Sequence, residues 1–141
     1  MQVKDIMTRG AVSVEPGESV EVAARTMRRC NVGALPVCTG GRLCGVVTDR
    51  DLVTRCLAAG RSPGTTTVRQ VMTEQVSAVN PAMDVGAAAH LMGRLQVRRL
   101  PVVDGGKLCG MVSLGDLARR EETIPDAADV LADVSSYLSD R

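Results

Sequence analysis

The chain is 141 residues long, 45% of them hydrophobic, with a formal net charge of +1. That suits one compact domain, but Phe and Trp are absent and Tyr137 is the only aromatic residue, so the core must be Val, Leu, Ala, Met and Cys. No apolar run approaches the roughly 18 residues that span a bilayer, no basic-then-apolar leader opens the chain, no Lys/Arg run tracks a nucleic acid backbone and no aromatic platform stacks bases, so the reading is a cytoplasmic protein with neither membrane nor nucleic acid as partner.

In chain order the sequence states its pattern twice. At an offset of 65 residues, Val3-Lys4-Asp5-Ile6-Met7-Thr8 lies over Val68-Arg69-Gln70-Val71-Met72-Thr73, Pro16 over Pro81, Leu35-Pro36-Val37 over Leu100-Pro101-Val102, and Asp51-Leu52 over Asp116-Leu117. A repeat of this length marks a supersecondary unit that packs against its copy. It divides the chain into a first repeat at 1–60, a connection at 61–67, a second repeat at 68–122 and a tail at 123–141, with the repeats related by a pseudo-two-fold axis.

Each repeat reads as a βαββα unit of an α/β (α+β) fold. Val12-Ser13-Val14 and Val76-Ser77-Ala78-Val79 predict short first strands, closed by Pro16 and Pro81. A helix follows from an N-cap at Ser19 or Asp84. Its apolar positions are Val20, Ala23, Ala24 and Met27, echoed by Val85, Ala88, Ala89 and Met92, the spacing of one buried face. Two strands then flank Gly40-Gly41 or Gly105-Gly106, a hairpin signature. A second helix starts at Thr48 or Ser113, and Thr67 caps a short turn through Val71-Met72. In the tail, Ala127, Val130, Leu131, Val134 and Leu138 recur at helical spacing, with Asp126, Asp129, Asp133 and Asp140 around the other faces. This is an amphipathic helix with an acidic outside, docking on the module or on a second subunit. Residues 1–120 hold sixteen Lys/Arg and ten Asp/Glu, and residues 121–141 hold one and six.

Cys30, Cys38, Cys44, Cys56 and Cys109 form no CxxC pair and are odd in number, which fits reduced, buried thiols and neither a metal site nor a disulfide framework. The lone His90 sits mid-helix, as a surface residue.

The residues with chemistry to offer sit at each strand-to-helix junction: Thr48-Asp49-Arg50-Asp51 and Ser113-Leu114-Gly115-Asp116. Hydroxyl-x-x-Asp has two readings. One is a capping box, in which the hydroxyl and the acid satisfy backbone N–H groups. The other is a nucleotide grip, in which N–H groups and the hydroxyl meet a phosphate and the Asp accepts from the vicinal hydroxyls of a ribose.

The doubled order Met-Thr, Pro, Leu-Pro-Val, Gly-Gly, Gly-Val-Val-Thr-Asp-Arg-Asp-Leu resembles a pair of CBS domains, the Bateman module, over residues 3–120. It is most similar to small stand-alone bacterial two-CBS proteins, including the hypoxic-response type. The resemblance implies two βαββα CBS repeats with clefts for adenosine-containing ligands, no catalysis, and a homodimer formed through the helices of both repeats. It further implies composite clefts. Thr48, Arg50 and Asp51 would face Val97-Arg98-Arg99-Leu100-Pro101 of the other repeat, while Ser113 and Asp116 would face Val32-Gly33-Ala34-Leu35-Pro36. The first cleft, with Arg50, Arg98 and Arg99, would favour more highly phosphorylated ligands. The second, with Gly115 in place of Arg50, would hold a nucleoside or stay empty.

The expected function is thus a non-catalytic regulatory sensor of AMP, ADP or ATP, with no obligatory cofactor and no metal, acting on itself as a homodimer or on an unidentified protein partner. The alternative is a structural or protein-interaction dimerisation module with vestigial nucleotide pockets, in which the Asp residues only cap helices. An enzyme is the weakest reading, because no nucleophile–base pair or metal cluster appears.

Overall fold

The computed structural model describes the backbone of residues 1–139 and the side chains of residues 1–135. The side chain of Leu138 and all of Asp140, assigned above to the tail helix, lie outside the described residues. In chain order the elements are β1 (Thr8–Arg9), α1 (Val20–Cys30), β2 (Ala34–Thr39), β3 (Arg42–Thr48), α2 (Asp49–Asp51), α3 (Val68–Val71), α4 (Val85–Leu95), β4 (Arg99–Asp104), β5 (Lys107–Ser113), α5 (Leu114–Ala118) and α6 (Ile124–Ser139). A π-helical turn, Leu52–Leu57, continues α2. Contacts divide the chain into a unit at Val12–Val76 and a unit made of Met1–Ala11 with residues from Ser77 onward. Each unit therefore contains one helix–hairpin–helix set and the short turn that opens the other repeat in sequence.

In the Val12–Val76 unit, Ser19 caps α1 by accepting from the Val22 N–H at 3.1 Å, and Asn31 closes it in the left-handed conformation. Strands β2 and β3 pair antiparallel through Gly40 and Gly41, whose φ of 58° and 82° are the left-handed angles that a two-residue hairpin turn requires. The first strand expected at residues 12–14 shrinks to one parallel bridge, Val14 to Val37. Pro16, two residues on, has no N–H with which to extend a ladder. Val14, Val20, Ala23, Met27, Leu35, Val37, Val47 and Cys56 form the core with Val68, Val71 and Met72 of α3 and its cap.

The other unit repeats the plan. Asp84 caps α4 by accepting from the Gly86 N–H at 2.9 Å, β4 and β5 form the hairpin, and the expected first strand is again one bridge, Val79 to Val102. Strand β1, which no sequence pattern marked, pairs Thr8 with Met111 and Arg9 with Gly110. The same crossing occurs in the first unit, where Val46 and Thr73 exchange N–H···O bonds of 3.0 and 2.9 Å. Both crossings depend on a missing side chain. A Cβ at Gly45 would collide with the Thr73 carbonyl oxygen, and one at Gly110 with that of Thr8.

The two long helices differ in what they cover. Helix α1 buries Val20, Ala23, Thr26 and Met27 and leaves Ala24 exposed. Helix α4 buries Val85, Ala88 and Met92 and also Ala89 and Gly93, because α6 packs on it and on α5. Ala127, Val130 and Val134 of α6 join that core, with the Asp133 carboxylate beside Gly93. Leu131, expected on the apolar face, is 49% exposed.

Two sets of variants test this packing. Gly45→Ala and Gly110→Ala should each lower unfolding free energy by roughly 1–3 kcal/mol through overpacking, whereas Gly17→Ala, with open space around it, should not lower it; urea denaturation decides. Val130→Ala, at a position 1% exposed, should cost about 1–3 kcal/mol, while Leu131→Ala should stay within about 0.5 kcal/mol. Equal effects at 130 and 131 would mean that α6 does not dock as described.

Candidate functional site at the strand-to-helix junctions

Both hydroxyl-x-x-Asp motifs form reciprocal capping boxes. Thr48 Oγ1 accepts from the Asp51 N–H at 3.1 Å, and Asp51 Oδ2 accepts from the Thr48 N–H at 2.9 Å. In the second motif Ser113 Oγ accepts from the Asp116 N–H at 3.2 Å, and Asp116 Oδ2 accepts from the Ser113 N–H at 2.8 Å. The cap uses only Oδ2 of each carboxylate. Both carboxylates are nonetheless buried residues, Asp51 at 9% and Asp116 at 4% exposure, and a buried charge needs partners for all of its oxygens.

The remaining oxygens are treated differently. Asp51 Oδ1 faces the Arg55 Nε at 3.8 Å, but the Arg55 Nη1 donates to the carbonyls of Val71 and Met72 at 3.3 and 3.2 Å. Among the described residues Asp51 Oδ1 therefore lacks a close donor. Asp116 Oδ1 accepts from Arg119 Nη1 at 3.1 Å and from the Thr8 hydroxyl at 3.5 Å.

The helix-to-strand loops lie beside these motifs, each within its own unit. The Asp49 N–H donates to the Gly33 carbonyl at 2.9 Å, and the Leu114 N–H to that of Arg98 at 2.8 Å. Ala34 pairs with Thr48, and Arg99 with Ser113. These bonds join each loop to the motif of its own repeat. The cause is the hairpin itself: antiparallel pairing returns the end of the second strand to the start of the first. Gly33 leaves room for the Asp49 carboxylate, whose Oδ2 lies 3.0 Å from the point a Cβ would occupy. Of the candidate residues, Leu35, Pro36, Leu100 and Pro101 are buried, Val32, Gly33, Ala34, Thr48, Val97 and Ser113 are half-buried, and Arg50, Arg98 and Arg99 are exposed.

Arg55, Thr8 and Arg119 touch the motifs and were missed in the sequence, where Asp49 was quoted within the first motif but given no role. Arg55 and Arg119 carried a signal, since they follow Asp51 and Asp116 by four and three residues, the spacing of helix neighbours. Thr8 carried none, being 108 residues from its partner. Elsewhere, burial pushes the Cys38 thiol up, with Cys44 adding to this and a hydrogen bond with Ser13 opposing it. Burial of this kind lowers a thiol's reactivity as a nucleophile. His90 is exposed. Among the described residues no group of three or more His, Cys, Asp or Glu could hold a metal ion, and no helix is long and apolar enough to cross a membrane.

Comparison with known proteins agrees with the doubled pattern. The CBS domain family model matches residues 3–58 and 68–122. The CBS domain-containing protein YhcV of Bacillus subtilis is 42% identical over 133 residues, covering 94% of each chain. A crystal structure of Hypoxic Response Protein I with two coordinated zinc ions superposes with a TM-score of 0.79 at 36% identity, over 85% of this chain and 98% of that one. The CBS domain pair of protein MJ0100, in complex with methylthioadenosine and S-adenosyl-L-methionine, superposes with a TM-score of 0.75 at 26% identity, over 84% of this chain and 94% of that one. A hydroxyl-x-x-Asp junction in each of two repeats, matched along nearly the whole sequence, places this chain in the CBS-domain family as a tandem pair.

Proposed function

We propose that this protein is a non-catalytic sensor of adenosine-containing ligands, binding at the Thr48–Asp51 and Ser113–Asp116 junctions and signalling by a change of conformation. The observation that carries the reading is the divided use of each carboxylate. A helix cap engages Oδ2 of Asp51 and of Asp116; Oδ1 of Asp51 is then open to the vicinal hydroxyls of a ribose, and Oδ1 of Asp116 becomes so once the Arg119 guanidinium gives way. The Thr48 and Ser113 hydroxyls keep their own hydrogens to donate. Arg50, Arg98 and Arg99 supply charge for phosphate. In the absence of aromatic rings, the aliphatic segments Val32–Pro36 and Val97–Pro101 hold the adenine and read it through backbone groups. The MJ0100 pair, in complex with two adenosine derivatives, supports adenosine as the common part of the ligand.

Signalling requires the ligand to favour one conformation of the protein over another. The homodimer that the resemblance implies, and the protein partner and cytoplasmic location expected from the sequence, belong to this same proposal.

Calorimetric titration with adenosine, AMP, ADP and ATP tests it. Asp51→Asn and Asp116→Asn each keep an oxygen for the cap, so stability should change by less than about 1 kcal/mol. Each should weaken binding at its own junction by roughly tenfold or more, and the double variant should bind none of the four. Should the native protein bind none of them, the scaffold reading would replace the sensor. Arg98→Ala/Arg99→Ala should weaken ATP more than adenosine; an unchanged order of affinities would remove these arginines from the phosphate contacts.

A further inference from the structure

The two junctions are repeat equivalents, yet their charges are arranged differently. The first reads Thr48-Asp49-Arg50-Asp51 and the second Ser113-Leu114-Gly115-Asp116. From sequence the second had lost its arginine at Gly115. The structure restores one from the next turn. Arg119, whose counterpart in the first repeat is Thr54, folds back along the helix so that its Nη2 lies 3.4 Å from the point a Cβ at Gly115 would occupy. From there its Nη1 donates to Asp116 Oδ1 at 3.1 Å. The Arg119 side chain is 68% exposed and that of Asp116 3%, so the arginine can swing away while the carboxylate stays. At the first junction the nearest arginine on the carboxylate, Arg55, is tied to two backbone carbonyls, and an additional acid, Asp49, sits beside Gly33.

We infer that Arg119 is the specificity-determining residue of the Ser113–Asp116 junction, making it the one that prefers a phosphorylated ligand over a nucleoside. This rests on the adenosine-binding reading above and reverses the preference drawn from sequence. A ribose reaching Asp116 Oδ1 displaces the Arg119 hydrogen bond, which penalises every ligand alike. A ligand with a phosphate gives the released guanidinium a new anionic partner and offsets that penalty. Adenosine has none and bears the penalty in full.

Backbone amide NMR of the full chain reads each junction separately, with Gly115 reporting the second and Arg50 the first. In the native protein AMP should bind at Gly115 about tenfold to a hundredfold more tightly than adenosine, the span of one charged hydrogen bond. Arg119→Ala should remove most of that ratio, partly by tightening adenosine. Arg119→Lys, which keeps the charge without the fork, should retain part of it. A ratio in Arg119→Ala equal to the native one overturns the inference. So does a native Gly115 signal that ignores all ligands while Arg50 responds, which leaves the sensor reading standing. Silence at both positions overturns the two together. Thermal melts of both Arg119 variants verify folding.

Discussion

A carboxylate buried at the start of a helix must satisfy two oxygens, and a capping box satisfies one. In both repeats the strand ends at a hydroxyl residue, the chain turns into a helix, and the Asp three positions on reaches back to the hydroxyl residue's N–H. That bond fixes the carboxylate in place and orients its second oxygen without further help. Capping and ligand binding are then not competing explanations. The cap is the device that holds the acceptor still, which lowers the ordering cost that a flexible Asp would add to binding. Everything distinctive about the two junctions lies in what meets the second oxygen.

The fold around the junctions is duplicated where geometry demands it and diverges where it does not. The hairpins pair in the same register, down to the glycine pairs at their turns and the glycines over which Thr8 and Thr73 cross. A methyl group at Gly45 or Gly110 would strike a backbone carbonyl, and the positive φ of the turn glycines strains any other residue. The long helices have diverged freely. Helix α1 presents Arg25, Arg28 and Arg29 outward, and its exposed face needs no cover. Helix α4 carries Gly86, Ala89 and Gly93 where α1 has Glu21, Ala24 and Arg28, and α6 packs there. The tail is thus part of the second unit's core.

Much of this was legible in the sequence, for identifiable reasons. The offset of 65 residues doubled every weak signal, so caps at Ser19 and Asp84, glycine turns and the hydroxyl-x-x-Asp motifs confirmed one another. The first strands were overread, since three apolar or small residues before a proline suffice for only a single bridge. Strand β1 was invisible because Thr8-Arg9 has no strand pattern of its own; its pairing exists because Gly110 admits it. The bonding of each loop to its own motif follows from the hairpin, since antiparallel pairing returns the chain to where it began. Arg119 was passed over because attention fell on Gly115 as a loss. Its recovery needed side-chain geometry, namely which of two successive arginines, 119 or 120, turns back over the glycine.

The central claim is that Asp51 and Asp116 keep their caps and offer Oδ1 to a ribose. A crystal structure of the protein grown with excess AMP tests it most directly. The account predicts ribose hydroxyls within about 3 Å of Oδ1 at one or both carboxylates, with the Thr48 and Ser113 N–H bonds to Oδ2 unchanged. Crystals that hold no AMP at either carboxylate, or that hold it with the ribose away from both, would contradict it.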